Sequence, residues 1–192
     1  MEKVRLGRTE IIVGKNSFGA LPIQRITKEE AAKLLRKAYD SGFNYFDTAH
    51  GYIEGRSEKA LRKCLVDRYP RDAYILANKL SNHHYNAEEE IVPLFESQLE
   101  ICGVEYFDFY LMHTQTSSNY GHYKNNGAYE EAFRLKEQEH FRLLDQAEYR
   151  YNDGPWQESA EILRISRNFR NSLGYRSDQT QPYAIEIGPE DH

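Results

Sequence analysis

Cysteine and tryptophan are scarce in this chain: two cysteines and one tryptophan in 192 residues. Cys64 and Cys102 have no C-x-x-C or zinc spacing. A disulfide scaffold and a metal site are therefore not expected, and both cysteines read as reduced packing residues of a cytoplasmic protein. No apolar run approaches the roughly 20 residues of a membrane span, and Met1-Glu2-Lys3-Val4-Arg5 does not resemble a secretory signal. Positive charge is not in excess: 25 Lys and Arg against 30 Asp and Glu give a net charge of -5. With a sequence pI of about 5.8, no nucleic-acid or acidic-membrane partner is expected. The G-x-G-x-x-G and P-loop motifs are also missing, which argues against an open nucleotide-binding α/β domain.

What is present is an alternation of strands and helices. Val4-Arg5-Leu6 and Ile11-Ile12-Val13 predict a hairpin turning at Gly7-Arg8-Thr9, and Asn16 to Ala20 a short strand. Thr27 and Glu30 have the spacing of a capping box, because the Thr hydroxyl accepts from the amide three residues on. Ala31, Leu34, Leu35, Ala38 and Tyr39 then form one helical stripe, ended by Gly42. The cycle repeats with strands at Phe43 to Phe46, Tyr74 to Ala77 and Phe107 to Met112. Helices follow from Ser57 (buried face Ala60, Leu61, Cys64, Leu65), over about Ala87 to Cys102 (inward Ile91, Leu94, Phe95, Leu99), and over about Gly127 to Gln138. Pro93 delays the regular start of the second of these or kinks it, since it lacks an N–H. Four such units imply parallel β-α-β crossovers, in an open doubly wound sheet or in part of a β/α barrel.

Four chemically complementary residues stand at strand ends or in the loops beyond: Asp47, Tyr52, Lys79 and His113. Reduction of a carbonyl by hydride places negative charge on oxygen, and a proton must reach it. A phenol of reference pKa ~10 is a weak acid at neutrality, but an adjacent ammonium stabilises the phenolate. Lys79 is the candidate ammonium, Asp47 its counter-charge and Tyr52 the general acid. His113 is placed to hydrogen-bond the substrate oxygen. Taken singly, each has a plainer reading as a cap, a solvated charge or a core histidine; the conjunction carries the argument.

Phe46-Asp47-Thr48-Ala49-His50-Gly51-Tyr52 followed by Ser57-Glu58-Lys59-Ala60-Leu61 resembles the signature of the aldo-keto reductase family. Ala77-Asn78-Lys79 and Asp108-Phe109-Tyr110-Leu111-Met112-His113 resemble its lysine- and histidine-bearing strand ends. Leu6-Gly7-Arg8-Thr9 and Ser17-Phe18-Gly19-Ala20 resemble its opening hairpin and first strand. The resemblance runs to about Gln138. It implies a partial (β/α)8 barrel, an α/β fold of about four N-terminal β/α units preceded by a β-hairpin and followed by a non-matching C-terminal tail. It implies Tyr52 as proton donor tuned by Asp47 and Lys79, His113 orienting a small aldehyde or ketone, and NADPH as cofactor. The residues that would bind the cofactor are not identified.

The pattern changes near His140. Residues 1–139 read as the partial barrel and 140–192 as a divergent tail. Glu139-His140-Phe141-Arg142-Leu143-Leu144 shows no strand pattern where the resemblance implies a strand reaching a Ser or Asn that holds the nicotinamide amide. The tail is expected to hold one helix, Trp156 to Phe169, a short strand at Tyr183-Ala184-Ile185 and otherwise little order. Arg164, Arg167 and Arg170 read as a solvated face, and His83-His84 as a solvent-facing pair. Thr114 to Asn126 reads either as a pocket wall or as an exposed connection. A truncated or shifted frame, or a half barrel that pairs with another chain, would produce the change, and exposed barrel edges favour self-association. The competing function is a non-catalytic, family-derived fragment that acts as a binding or assembly module.

Overall fold

A computed structural model describes residues 1–148 apart from 7, 8, 53, 54 and 117. The expected tail helix, tail strand and arginine stripe lie outside the described residues, as does most of the expected hairpin turn. The described residues divide into two units, residues 1–4 with 12–148 and residues 5–11. Within the second, the Leu6 amide donates to the Ile11 carbonyl at 2.9 Å and the Thr9 hydroxyl to the Leu6 carbonyl at 2.7 Å. Strands β1 (Lys3–Arg5) and β2 (Ile12–Gly14) form a two-stranded sheet.

The first unit is built on a five-stranded sheet of β3 (Phe18–Gly19), β4 (Tyr45–Asp47), β5 (Ile75–Leu80), β6 (Phe107–Gln115) and β7 (Phe141–Glu148). Every pair is parallel and the spatial order is the sequence order. A doubly wound sheet reverses its strand order at a switch point; this one never does. Single winding is the rule of a barrel wall, and it resolves the alternative that periodicity left open.

Helix α1 (Lys28–Asp40) begins at the expected capping box: the Thr27 hydroxyl accepts from the Glu30 amide, and the Glu30 carboxylate accepts from the Thr27 amide. Gly42 follows it with φ of 90°, the left-handed region that glycine tolerates. Its buried line is Ala31, Leu35 and Ala38, whereas Leu34 is 43% exposed, contrary to expectation. The apolar stripe is wider than the groove it fills. Helix α2 (Arg56–Leu61) runs into a wider turn over Arg62–Val66, with Leu61, Cys64 and Leu65 buried. Helix α3 (Ile91–Cys102) starts only after a 3-10 turn at Glu88–Glu90, which leaves Pro93 in its first turn, where the missing N–H costs nothing. Of its expected inward face, Ile91 and Phe95 are buried, and Gln98 and Cys102 replace Leu94 and Leu99 as the remaining buried positions. Helices α4 (Tyr120–Asn125) and α5 (Ala128–Glu137) complete the α-helices of the described residues, α4 standing in the segment that reads from sequence as a pocket wall or an exposed connection.

One correction concerns β7. The strand pattern was expected to lapse after Gln138, but Phe141–Glu148 is a fifth strand with Phe107↔Phe141, Phe109↔Leu143 and Tyr110↔Leu144 in register. Arg142, Asp145, Gln146 and Glu148 spoil its apolar alternation. Pairing along the length of β6 sets this strand, not its own propensity.

Candidate active site

Side chains alternate across a parallel sheet, and residues in register share a face. Asp47 pairs with Ala77, and Ala77 with Phe109, so these three lie on one face. Lys79 follows two residues after Ala77, on that same face. The opposite face, through Phe46, Leu76, Asn78 and Tyr110, turns to the helices. There Phe95 of α3 meets the Tyr110 ring edge-on at 4.8 Å. Asn78 donates to the fully buried Glu58 of α2 at 2.8 Å, and Tyr110 donates to Gln98 of α3 at 2.6 Å.

All four residues singled out from sequence converge on the first face. The Lys79 ammonium donates to Asp47 Oδ1 at 2.5 Å and to the Thr48 carbonyl at 2.7 Å. It stands 5.1 Å from the centre of the Tyr52 ring. The Tyr52 ring in turn meets the His113 ring edge-on, with centroids 5.6 Å apart. Lys79 is buried while Asp47 keeps 26% of its side chain exposed. Burial pulls the Lys79 pKa below the usual amine value, and the Asp47 carboxylate opposes that by charge and hydrogen bond.

His113 sits where β6 departs from regular pairing. A register shift falls between Met112 and Gln115, and Thr114 has φ of 52°, which strains a β-branched residue. Bulges at strand ends redirect side chains next to functional sites. Desolvation, then the positive charges of Lys79, His84 and His83, push the His113 pKa down to about 4. The imidazole is therefore neutral at physiological pH, with one ring nitrogen a donor and the other an acceptor.

Several supporting residues had escaped the sequence reading. Ser81 places its hydroxyl 2.5 Å from His113 Nδ1. It follows Lys79 by two residues, one past the end of β5. Tyr123 of α4 is fully buried, and its single phenol proton is shared between the carbonyls of His113 (2.6 Å) and Leu80 (3.2 Å), while its oxygen accepts from the Asn82 amide at 3.1 Å. It thus clamps the chain just beyond Lys79 to the chain at His113. Only the fold reveals that role. Ser57, expected to open α2, lies inside it; its hydroxyl donates to the Ala20 carbonyl and accepts from Thr48. His50 meets Glu58 Oε2 at 3.1 Å and the ring of the exposed His84 edge-on at 4.9 Å.

Comparisons with known proteins bear on the family and the fold. The family model described as the Aldo/keto reductase family matches residues 10–148. The chain is similar to L-galactose dehydrogenase of Arabidopsis thaliana, 30% identical over 116 residues, covering 56% of this chain and 36% of that protein. It is 34% identical over 87 residues to norsolorinic acid reductase B of Dothistroma septosporum, covering 44% of this chain and 22% of that one. The chain thus aligns with about a third or less of the length of these curated relatives. Among solved structures, a holo-form aldo-keto reductase from Bacillus halodurans matches with a TM-score of 0.69 at 22% identity, over 88% of this chain and 54% of that one. An aldo-keto reductase from Klebsiella pneumoniae in complex with NADPH matches with a TM-score of 0.62 at 21% identity, over 76% and 49%. The fold is that of these β/α barrels, of which the described residues supply five strands. The chain belongs to the aldo/keto reductase family.

Proposed function

We propose that this chain carries the proton-transfer half of an NADPH-dependent reduction of a small aldehyde or ketone, with Tyr52 as general acid, Lys79 and Asp47 as its electrostatic support and His113 as the group that orients the carbonyl. The observation that carries the reading is the continuous run of contacts from Asp47 through Lys79 and Tyr52 to His113. NADPH would supply the hydride when bound. The proton comes from the Tyr52 hydroxyl, and the ammonium of Lys79 stabilises the phenolate left behind. Asp47, with one carboxylate oxygen engaged by Lys79, keeps acceptor capacity for a hydroxyl of the cofactor. A neutral His113 donates to the carbonyl oxygen as charge builds there, without competing as an acid.

The fit to the cofactor is uneven. The reacting end is supported by these four residues. The fifth strand contains neither the serine nor the asparagine expected to hold the nicotinamide amide. The phosphate-binding groups are not identified among the described residues. Two buried free cysteines accord with a cytoplasmic setting. No described helix is long and apolar enough to cross a membrane. Among the described residues β3 and β7 each have a neighbour on one side, which favours self-association of this chain.

Titration calorimetry of the chain with NADPH tests the reading. Saturable binding supports it. The absence of binding leaves the alternative, a family-derived fragment that binds or assembles without turnover.

A further inference from the structure

We infer that Ser81 is a positioning residue: its hydroxyl donates to His113 Nδ1 and thereby fixes the imidazole as the tautomer whose Nε2 carries the proton. The inference rests on the reading of His113 as the group that orients the carbonyl. Ser81 is 4% exposed, so its hydroxyl proton needs an acceptor inside the protein. Among the described residues, the acceptor that Ser81 Oγ reaches is His113 Nδ1, at 2.5 Å. Nδ1 can accept only when it is unprotonated, and the neutral ring then places its single N–H on Nε2.

Main-chain geometry holds the two partners at this distance. The Tyr123 phenol shares its proton between the carbonyls of His113 itself and of Leu80, the residue before Ser81, and accepts from the Asn82 amide. The ends of β5 and β6 are thus joined on both sides of the Ser81–His113 contact. The ring edge not turned to Ser81 is the one left to serve a substrate, and the ring packs edge-on against Tyr52. Without Ser81 the neutral imidazole would divide between two tautomers, and in one of them Nε2 would confront a carbonyl oxygen as an acceptor, which is repulsive.

The test is nitrogen-15 NMR of the full chain with labelled histidine at neutral pH, the His113 signals being assigned by their loss in His113→Gln. The expected result is an unprotonated Nδ1 and a protonated Nε2 in the wild type, mixed tautomers in Ser81→Ala, and recovery of the wild-type pattern in Ser81→Thr. A protonated Nδ1 in the wild type overturns the inference with no variant needed. An unchanged tautomer in Ser81→Ala overturns it as well. In turnover, Ser81→Ala is expected to lower kcat roughly ten-fold, the equivalent of one hydrogen bond, with KM little changed, and Ser81→Thr to restore it. Absence of turnover in the wild type would sink the proposed function. The tautomer measurement would still decide the role of Ser81.

Discussion

Asn78 and Lys79 are consecutive residues of one strand, both polar and both buried, yet they belong to opposite regions of the molecule. Asn78 faces the helices. Its amide nitrogen donates to Glu58, and its oxygen takes Gln98 (3.4 Å) and the Lys79 amide (2.8 Å). Gln98 donates also to the Lys79 carbonyl and accepts from Tyr110. This is a closed network, with its donors and acceptors matched inside the protein, and its contribution is to lock strand to helix. Lys79 faces the other way, into a set whose members keep partial exposure: a carboxylate, a phenol and an imidazole held neutral. Burial of a polar group thus says little about function. Whether its network closes on the protein or stays open to a ligand is what separates scaffold from chemistry.

The difference predicts separable effects. On the closed side, Asn78→Ala leaves Glu58 and Gln98 short of partners in the interior. It should cost about 2–3 kcal/mol of stability, read by urea unfolding, with turnover per folded molecule preserved. If activity falls in proportion to nothing but Asn78 while stability holds, the two faces are not independent. At the junction between the faces, Tyr123→Phe removes the phenol that joins the two strand ends. It should cost about 1–2 kcal/mol and also reduce kcat, since the His113 backbone loses its tie. A stability loss without any kinetic change would reduce Tyr123 to a packing residue. A third effect concerns pH. The His113 pKa is about 4 in the folded chain against an ordinary 6.5, so between these values the unfolded chain binds more protons. The stability that His113 contributes is present above pH 6.5 and is lost as pH falls toward 4. Wild type should therefore lose more stability between pH 7 and 4 than His113→Gln does, measured by denaturant unfolding at each pH. Equal losses would mean that the imidazole is not held neutral by its surroundings.

The chemical face was legible in the sequence because its residues are of unlike types and follow apolar strands at regular intervals. Asp47, Tyr52, Lys79 and His113 could be named before any coordinates, and the structure brings them together. Ser81 was harder to read, since it lies one residue past the end of β5 and only its contact with His113 marks it. The closed face was not, since Glu58, Asn78, Gln98 and Tyr110 come from α2, β5, α3 and β6 and nothing local marks them as partners. Capping at Thr27 and Glu30 is a local signal and was read correctly. Leu34 was misplaced because periodicity reports a stripe, whereas burial depends on how much of the stripe the sheet covers. The strand at Phe141–Glu148 was missed for the related reason that its neighbour β6 determines it. Local chemistry was readable; cross-element matching was not.

The central claim is that the open face transfers a proton to a carbonyl. The most direct measurement is NADPH oxidation in the presence of a small aldehyde, followed by absorbance, for wild type and Tyr52→Phe at equal folded concentration. The expected result is turnover by the wild type and a loss of about 10²-fold or more in Tyr52→Phe, with unchanged unfolding. Equal rates for the two proteins, or no turnover by either, would contradict it.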